Sequence, residues 1–367
     1  MGEARDIKRA SRVVFSVFIA IALLYVVFIM PLPLYIFKPG TAEDINPMVH
    51  IKQASEEKGK FMLTTVQVAD ATVFGYLMSY VRPYEELRLK RDLLRNNESE
   101  AEYSRRQEVV MLTSQADAIQ AVYNRLKIPY HISKDGVVIQ QVYPDVPAHD
   151  VLQAGDTLVK IDDKPIQSME EVRGGIKGKK AGETVLVSYK RKDVIQTKDI
   201  ALAALPVDKK AQPADAAPAA PQVGLGVVLA ELHSVKPGSE EQQVTIKAGD
   251  IGGPSAGLMF SLEIYNRLAP GDITKGYKVA GTGEIDPEGH VGVIGGIQHK
   301  IVAADRAGAE IFFSPADYKA PTGQTIPNYS DAKKRAEELG TKMTVVPVAT
   351  MAEALDYLAK LPAKTGS

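Results

Sequence analysis

The chain has 367 residues and a formal net charge of −1, with 45% hydrophobic and 24% charged residues. This composition excludes disorder as the main state, and the length predicts two or three folded units. The absence of cysteine excludes disulfide bonds and thiolate chemistry, and the balanced charge argues against nucleic acid as a partner. Six scattered histidines give no pattern for a metal site, so we expect neither a metal nor a cofactor.

An uncharged apolar run, residues 13–30, lies close to the N-terminus. An 18-residue helix spans about 27 Å, which is close to the thickness of the bilayer hydrocarbon. Basic residues precede the run, whereas only Lys38 closely follows it, so the positive-inside rule predicts a cytoplasmic tail over 1–12 and an extracellular remainder. The preceding basic residues are Arg5, Lys8, Arg9 and Arg12.

A cleaved signal peptide is the alternative for this run. The run is longer than the apolar region of most signal peptides, and PLPLYIFKPG follows it where small residues would mark a cleavage site. The sequence therefore predicts an uncleaved transmembrane anchor over 13–36. Pro31 and Pro33 are expected to end its helix, and Tyr35 and Phe37 to lie among the lipid headgroups.

The next stretch changes from strand to helix patterns. Gly59–Asp70 is rich in Leu, Thr and Val and predicts a strand. Apolar residues at helical spacing follow, and the charged stretch Glu85–Glu108 predicts exposed helices with a solvated face. Ser114, three residues before an aspartate, predicts the N-cap of a helix that ends near Leu126.

From Ile128 to Leu205, short strands alternate with turn residues in a pattern that resembles a bacterial PDZ domain. The resemblance implies a β domain over 124–205 with a groove that takes an extended peptide as an added strand. A PDZ fold used only as a spacer or an assembly contact is the alternative. The segments that carry the resemblance are Gly136–Val138, Val142–Ala148, Leu152–Asp156, Ile161–Pro165 and Val185–Lys190.

A stretch rich in Ala, Pro and charge, 206–222, predicts a linker. Strands then alternate with helices over 223–362, which indicates an α/β or α+β unit. The predicted helices are Ser255–Leu268, Ile297–Ala307, Ser330–Glu338 and Met351–Leu361, and the predicted strands are Val223–Leu232, Gln243–Lys247, Tyr277–Thr282, Ala309–Ser314 and Lys342–Val346.

A glycine-rich turn, Gly252–Gly257, opens an apolar helix and contains Ser255. Backbone N–H groups at a helix N-terminus would stabilise an anion that develops beside this serine. We expect the N–H groups of Gly253, Ser255 and Ala256 to form that oxyanion site. Ser255 as a mere N-cap is the alternative. The turn also fits the G-x-S-x-G elbow of α/β-hydrolases, but no strongly apolar strand precedes it.

Several downstream motifs, together with GPSAG, resemble the proteolytic domain of the Lon proteases. They are Thr282–Ile285, Gly292–Ile297, Lys300 and Ala303–Ala309. The resemblance implies that Ser255 is the nucleophile, that Lys300 is its general base, and that Thr282 contacts and orients the lysine. Because an ammonium cannot accept a proton, we expect apolar neighbours to keep this amine neutral. The adjacent His299 is expected on the surface.

Gly59–Pro83 is similar to the opening strand and first helix of the Lon proteolytic domain. We therefore predict an α+β fold in which a Lon-type domain, over 45–123 and 223–362, holds an inserted or adjacent PDZ-like domain. The P-loop pattern for nucleotide binding is absent from the sequence, so we expect ATP-independent action.

This architecture resembles the membrane-anchored Lon-like proteases with a PDZ domain from Gram-positive bacteria. It implies a single-pass cell-membrane Ser-Lys endopeptidase that cleaves extracytoplasmic polypeptides or peptide precursors. The expected partners are extended substrates, the membrane and further copies in a ring-like homo-oligomer. A non-catalytic peptide-binding scaffold is the alternative, and the presence of the serine, the lysine and the threonine favours the enzyme.

Overall fold

The computed structural model describes residues 3–52, 58–94, 98–205, 222–320 and 323–364. The predicted linker 206–222 lies outside the described residues except for its last residue. The helices within the described residues are α1 Glu3–Phe28, α2 Val73–Ser79, α3 Lys90–Leu93, α4 Glu100–Leu126, α5 Met169–Ile176, α6 Gly257–Leu268, α7 Ile297–Arg306, α8 Asn328–Leu339 and α9 Met351–Lys360.

Strands account for much of the remaining described chain, and the predicted mixture of helices and strands is confirmed. In chain order they are β1 Pro31–Asp44, β2 Val49–His50, β3 Lys60–Thr72, β4 Glu86–Leu89, β5 Tyr130–Val142, β6 Thr157–Ile161, β7 Lys164–Pro165, β8 Thr184–Arg191, β9 Val194–Ala201, β10 Ala203–Leu205, β11 Gln222–Gly224, β12 Val227–Pro237, β13 Thr245–Ile246, β14 Lys278–Gly281, β15 Glu284–Ile285, β16 Val291–Gly292, β17 Ile311–Pro315, β18 Tyr318–Lys319, β19 Thr325–Ile326 and β20 Thr344–Val348.

The first of the two six-stranded sheets joins distant parts of the chain in the order β20-β17-β14-β3-β1-β4. Strands β3, β14, β17 and β20 run parallel to one another, whereas β1 is antiparallel to β3 and β4. Phe61 and Leu63 of β3 belong to one hydrophobic core with α6, and Met62 belongs to the core under α7 on the other face. Alternation along β3 therefore places the two helices on opposite faces of this sheet.

The second main sheet has the order β12-β5-β6-β8-β9 and its own hydrophobic core. Its sixth strand, β7, pairs with β6, and in the chain this sheet lies between β4 and β14, which belong to the first sheet. Strands β5 and β12 pair from Val142↔Val227 to Tyr130↔Pro237, and Val235 near the far end packs into the core around α6. This ribbon therefore connects the two cores. The residue boundaries that the sequence predicts for the two domains stay predictions.

The long helix α4 crosses between the second sheet and α6. It begins with a capping box, in which Ser99 accepts from the N–H of Glu102 while the Glu102 side chain accepts from the N–H of Ser99. The prediction of an N-cap at Ser114 was wrong, because this residue lies in the middle of α4. The apolar residues of the second half of α4 join the core around α6.

The charged stretch 85–108 is only in part the solvated helical face that the sequence predicted. Helix α3 and the start of α4 lie in it and carry the exposed Arg105–Glu108 pair, whereas its first part forms β4. Arg106 and Glu98 are buried as a bidentate pair, with Nε–Oε1 at 2.8 Å and Nη2–Oε2 at 2.9 Å. A charge pattern alone does not distinguish a solvated pair from a buried pair of this kind.

Helix α1 has the length and composition of a membrane span. Its most apolar window, Ser11–Phe28, has a mean hydropathy of 2.3, and none of it is buried against the described protein. A signal sequence has the same properties. The predicted anchor 13–36 is too long at its C-terminal end. Tyr35, Ile36 and Phe37 are buried in β1 and do not lie among headgroups.

The shared sheet makes a prediction about fragments. A fragment of residues 222–364 lacks β1 and β3, so β14 loses a neighbour and the core around α6 loses Phe61 and Leu63. Buried Phe or Leu side chains each contribute about 2–5 kcal/mol. We expect this fragment to show no cooperative thermal unfolding by circular dichroism, whereas residues 31–364, which lack only α1, unfold cooperatively. Cooperative unfolding of the shorter fragment would contradict the shared core.

Candidate active site

Ser255 lies in the turn that precedes α6. Helix α6 begins at Gly257, and its N-cap is Ala256, which makes no side-chain capping bond. The alternative that Ser255 is an N-cap is therefore wrong. Its side chain is half-buried and turns toward α7, where Oγ lies 2.9 Å from Nζ of Lys300.

Lys300 is located on α7, which packs against β1 and β3 of the first sheet. The N-cap of this helix is Gly296, where φ is +69° and a Cβ would lie 3.1 Å from Val66, so both the backbone and the close approach to β3 favour glycine. Nζ donates a second hydrogen bond, of 2.7 Å, to the carbonyl oxygen of Thr64 on β3. The amine is thus held between a strand carbonyl and the serine hydroxyl.

The environment of Lys300 favours the neutral amine. The residue is only 4% exposed, and its helix neighbours Ile297 and Ile301 are buried. Burial disfavours the ammonium and lowers the pKa of Lys300 from 10.5 to about 7. A substantial fraction of the amine can therefore accept a proton near neutral pH.

Thr282 does not contact the lysine as the sequence analysis expected. This fully buried residue follows β14, and its hydroxyl donates to the carbonyl oxygen of Ser255 at 2.9 Å. The N–H of Gly283 donates to the same oxygen at 2.8 Å. The second partner of the amine is instead a backbone carbonyl, that of Thr64.

Of the three N–H groups expected to form the oxyanion site, one is already hydrogen-bonded within the protein. The N–H of Gly253 already donates to the carbonyl oxygen of Gln107 on α4, at 3.0 Å. Within the described ranges, the N–H groups of Ser255 and Ala256 have no hydrogen-bond acceptor. These two donors precede the N-terminus of α6, where the helix dipole adds positive potential.

Hydrogen bonds fix the peptide groups that carry both free donors. The carbonyl of Pro254 accepts from the Ser114 hydroxyl at 3.0 Å, and this carbonyl belongs to the same peptide as the N–H of Ser255. The carbonyl of Ser255, held by Thr282 and Gly283, belongs to the same peptide as the N–H of Ala256. In a trans peptide the C=O and N–H point in opposite directions, so a bond to the carbonyl orients the N–H.

The serine and the lysine line a cleft of about 670 Å3. Thr64–Val66 of β3 form one side, and Tyr103, Gln107 and Met111 of α4 form another. The cleft is large enough for several residues of an extended chain. Further lining residues include Phe37, Val68, Arg88, Leu93, Glu284 and Ile294.

His299 is not the surface residue that the sequence predicted. It is 2% exposed, and its Nε2 lies 3.4 Å from Oε2 of Glu86 on β4. Burial lowers the pKa of His299, which favours its neutral form. Neither Ser255 nor Lys300 is among its polar contacts in the described chain.

Three carboxylate or imidazole groups come together elsewhere on the surface. Asp286, Glu288 and His290 place ligand atoms within 4.8 Å of one another. Asp286 and His290 are bonded to each other at 2.8 Å, and two of the three residues are exposed. Exposed acidic groups of this kind are common without a metal, so the cluster does not point to a cofactor.

Sequence reasoning missed three contributors to the site. Thr64 acts through its carbonyl and Gln107 through a backbone bond, and neither leaves a residue-type signal. Ser114 was noticed for the wrong reason, as an N-cap. In the sequence, the only sign that its hydroxyl is buried is that Ser114 lies one helix turn before Ala118, on a helix face made of small residues.

Comparison with protein families identifies two domain types in the chain. Residues 109–202 match the PDZ domain, and residues 239–359 match the Lon protease (S16) C-terminal proteolytic domain. The second match includes Ser255, Thr282 and Lys300. The two types predicted from the sequence are thus confirmed, while α4 and β3, which complete the site, lie wholly outside the proteolytic match.

Two curated relatives are Lon proteases. The chain is 30% identical over 101 residues to the Lon protease of Aster yellows witches'-broom phytoplasma. The matched region is 28% of this chain and 11% of that relative. It is 32% identical over 111 residues to the Lon protease of Neorickettsia sennetsu. The matched region is 30% of this chain and 12% of that relative. The chain therefore matches only a small part of the length of these relatives.

Solved structures of PDZ domains are also similar to part of the chain. The PDZ domain of an SdrC-like protein from Listeria monocytogenes is 38% identical and covers 26% of this chain and 90% of its own, with a TM-score of 0.22. A corresponding domain from Listeria innocua is 35% identical and covers 26% of this chain and 93% of its own, with a TM-score of 0.21.

The buried lysine makes stability depend on pH. Because the folded pKa of Lys300 lies near 7 and the ordinary value is 10.5, the unfolded chain binds more protons between these values. The lysine is therefore most costly to the fold below pH 7, and this cost decreases as the pH rises. Relative to Lys300→Met, the wild type should gain free energy of unfolding from pH 7 to pH 10, measured by urea denaturation. An unchanged difference would contradict the depressed pKa.

Proposed function

We propose that this chain, which carries a PDZ domain and a Lon-type proteolytic domain, is a serine endopeptidase with a Ser255–Lys300 dyad. The observation that carries the proposal is the 2.9 Å contact between the serine Oγ and a buried lysine Nζ. A solvated lysine would be protonated at neutral pH, whereas this one has a pKa of about 7. The site thus pairs a nucleophile with a base that can take its proton.

In the first step, Oγ of Ser255 attacks the scissile carbonyl while its proton moves to Nζ of Lys300. The C–O bond forms, the carbonyl electrons move to oxygen, and an oxyanion results. The resulting ammonium then protonates the leaving amine as the C–N bond breaks. Water then attacks the acyl-enzyme while Nζ of Lys300 takes its proton. This proton passes to Oγ of Ser255 as the ester C–O bond breaks. The carbonyl oxygen of Thr64 stabilises the ammonium during each transfer because it accepts a hydrogen bond from Nζ.

The free N–H groups of Ser255 and Ala256 are the proposed oxyanion donors. Ser114 and Thr282 are positioning residues, because each holds a carbonyl whose peptide presents one of these donors. Thr282 thereby takes a role different from the lysine contact that the resemblance implies. A fixed donor stabilises the oxyanion without reorganisation during the reaction.

The PDZ domain is proposed to deliver polypeptide to this site. Strand β12 lies at one edge of the second sheet, and its Glu231 accepts a hydrogen bond from the N–H of Met169 at the start of α5. An edge strand beside a helix can accept an extended peptide as an additional strand. Polypeptides that are already extended or unfolded are therefore the proposed substrates.

The cellular setting is also part of the proposal. Helix α1 would anchor the protein in the cell membrane, and the basic residues before it favour an extracellular catalytic domain. The chain has no P-loop pattern, in keeping with action without ATP. A ring-like homo-oligomer stays a prediction.

A non-catalytic scaffold is the alternative function. It requires no depressed lysine pKa and no free N–H groups beside the serine. A catalytic enzyme requires both, and both are features of this site. We therefore favour the enzyme.

Substitutions of the dyad test the proposed reaction. Ser255→Ala and Lys300→Ala should each lower cleavage of an unfolded fluorogenic protein by at least about 10³-fold, and the double variant should be no worse, because the two groups act as one unit. Lys300→Arg should be equally inactive because a guanidinium stays protonated. The rate of the wild type should rise with pH through about 7, the pKa of Lys300.

Folding controls accompany these measurements. Far-ultraviolet circular dichroism and thermal unfolding should match the wild type for Ser255→Ala, whose side chain makes one hydrogen bond in the described chain. A folded Lys300→Arg variant with near-normal rates would exclude Lys300 as the base. Undiminished activity in Ser255→Ala would exclude the dyad.

The positioning role of Ser114 and Thr282 has a distinct kinetic signature. Ser114→Ala and Thr282→Val should lower kcat by about 10- to 100-fold with little change in KM, because a misaligned donor weakens only the transition state. Ser114→Thr and Thr282→Ser retain a hydroxyl and should recover most of the rate. The pH midpoint near 7 should not move, since neither residue bonds to Lys300.

The pH midpoint separates the two roles considered for Thr282. If Thr282 orients the lysine, Thr282→Val changes the environment of the amine and shifts the midpoint. A shifted midpoint with unchanged kcat at high pH would refute the peptide-orienting role. A raised KM with an unchanged kcat would instead indicate that these residues contribute to substrate binding and do not orient the donors.

A further inference from the structure

Helix α2 and the two residues that follow it present an exposed apolar stripe. Residues 73–81 carry no charge, and Phe74, Leu77, Tyr80 and Val81 are 39%, 60%, 70% and 70% exposed. Phe74 and Leu77 lie about one turn apart on α2, and Tyr80 and Val81 continue the stripe directly after the helix ends at Ser79. A stripe of this kind is costly to leave in water and marks a surface that meets another apolar phase.

The stripe lies beside the membrane end of α1. Strand β1 starts at Pro31, shortly after α1 ends, and Pro31 pairs with Thr72, the last residue of β3. Helix α2 begins at the very next residue. The rings of Phe28 in α1 and Phe74 in α2 are 4.9 Å apart. The end of the apolar span and the start of α2 are thus at the same level.

The orientation of α2 is fixed by contacts on its inner side. The Thr72 hydroxyl caps the helix and accepts from the N–H of Gly75 at 3.1 Å. A Cβ at Gly75 would lie 3.0 Å from Cδ1 of the buried Ile36, so the helix lies close against β1 at this point. The exposed stripe cannot turn inward without losing these contacts.

We propose that α2 is a second membrane contact, with its stripe inserted into the outer interface of the bilayer that α1 spans. Leu77 and Val81 supply apolar insertion, and Tyr80 suits the headgroup zone, where its ring is apolar and its hydroxyl is hydrated. The partner is the lipid surface itself. This inference rests on the membrane anchor of the proposed function.

Two attachments restrict the catalytic domain more than one helix would. A single span permits rotation about the short connection, whereas a second contact fixes the tilt of β1 and β3. Thr64, whose carbonyl holds the catalytic amine, lies eight residues before Thr72 on β3. At about 3.3 Å per residue, the amine is therefore held within about 26 Å of the membrane end of the sheet.

Tryptophan fluorescence tests this contact, because the protein has no tryptophan of its own. Leu77→Trp and Val194→Trp place one indole each at apolar residues of matched exposure, 60% and 59%, the second on the β8–β9 hairpin. The full chain is reconstituted in anionic vesicles that contain lipids brominated on the acyl chain. Tyr80→Trp provides a second site on the stripe in case Leu77→Trp fails to fold.

The emission of Leu77→Trp should shift to the blue and be quenched by brominated lipid several-fold more than that of Val194→Trp, which iodide should quench instead. Iodide quenching of both variants with equal strength would overturn the proposal. A blue shift without lipid quenching would overturn it in favour of contact between two copies of the chain. Protein that fails to float with the vesicles would refute the anchor of the proposed function, and the second contact with it.

Discussion

The buried amine of Lys300 is the constraint on which the rest of the site depends. An ammonium in this position loses its hydration, and its only compensation in the described chain comes from one backbone carbonyl and one hydroxyl. The packing of α7 against strands β1 and β3 excludes water from the amine. Residues 31–72 must therefore be folded against residues 257–306 for the proposed base to be neutral, although the whole second sheet separates them in the chain. The fold and the proposed reaction share this requirement.

Helix α4 transmits a similar requirement to the catalytic turn. Gln107 holds the N–H of Gly253 and Ser114 holds the carbonyl of Pro254, so one helix supports two points of the turn. Its other side meets the second sheet, where a Cβ at Gly155 would lie 3.3 Å from Cδ of Arg105. A movement of the second sheet that displaced α4 would therefore disturb both bonds. This arrangement places the second sheet and the turn that contains Ser255 on opposite sides of the same helix.

Sequence alone predicted the parts of this protein that depend on residue type. Ser255 and Lys300 follow from motifs whose glycines and apolar neighbours are local in the chain. Helices α7 to α9 and strands β14, β17 and β20 follow from simple periodicity, whereas the two-residue strands β15, β16, β18 and β19 were missed. Strand β1 of the first sheet was missed because Tyr35, Ile36 and Phe37 continue an apolar run that already predicts a membrane anchor. The contacts of Thr282, Gln107 and Thr64 could not be predicted, because they involve backbone groups that every residue carries. Burial of His299 and of the Arg106–Glu98 pair depends on long-range packing that no local pattern records.

The central claim is that the lysine beside Ser255 is neutral near physiological pH. The most direct test is the ¹⁵N chemical shift of Nζ of Lys300, followed by nuclear magnetic resonance across the pH range and assigned by its absence in Lys300→Arg. We expect the Lys300 signal to titrate near pH 7, and its titration to shift in Ser255→Ala because the contact with Oγ is lost. A Lys300 signal that titrates near 10.5, as an ordinary lysine does, would exclude a neutral base at this position.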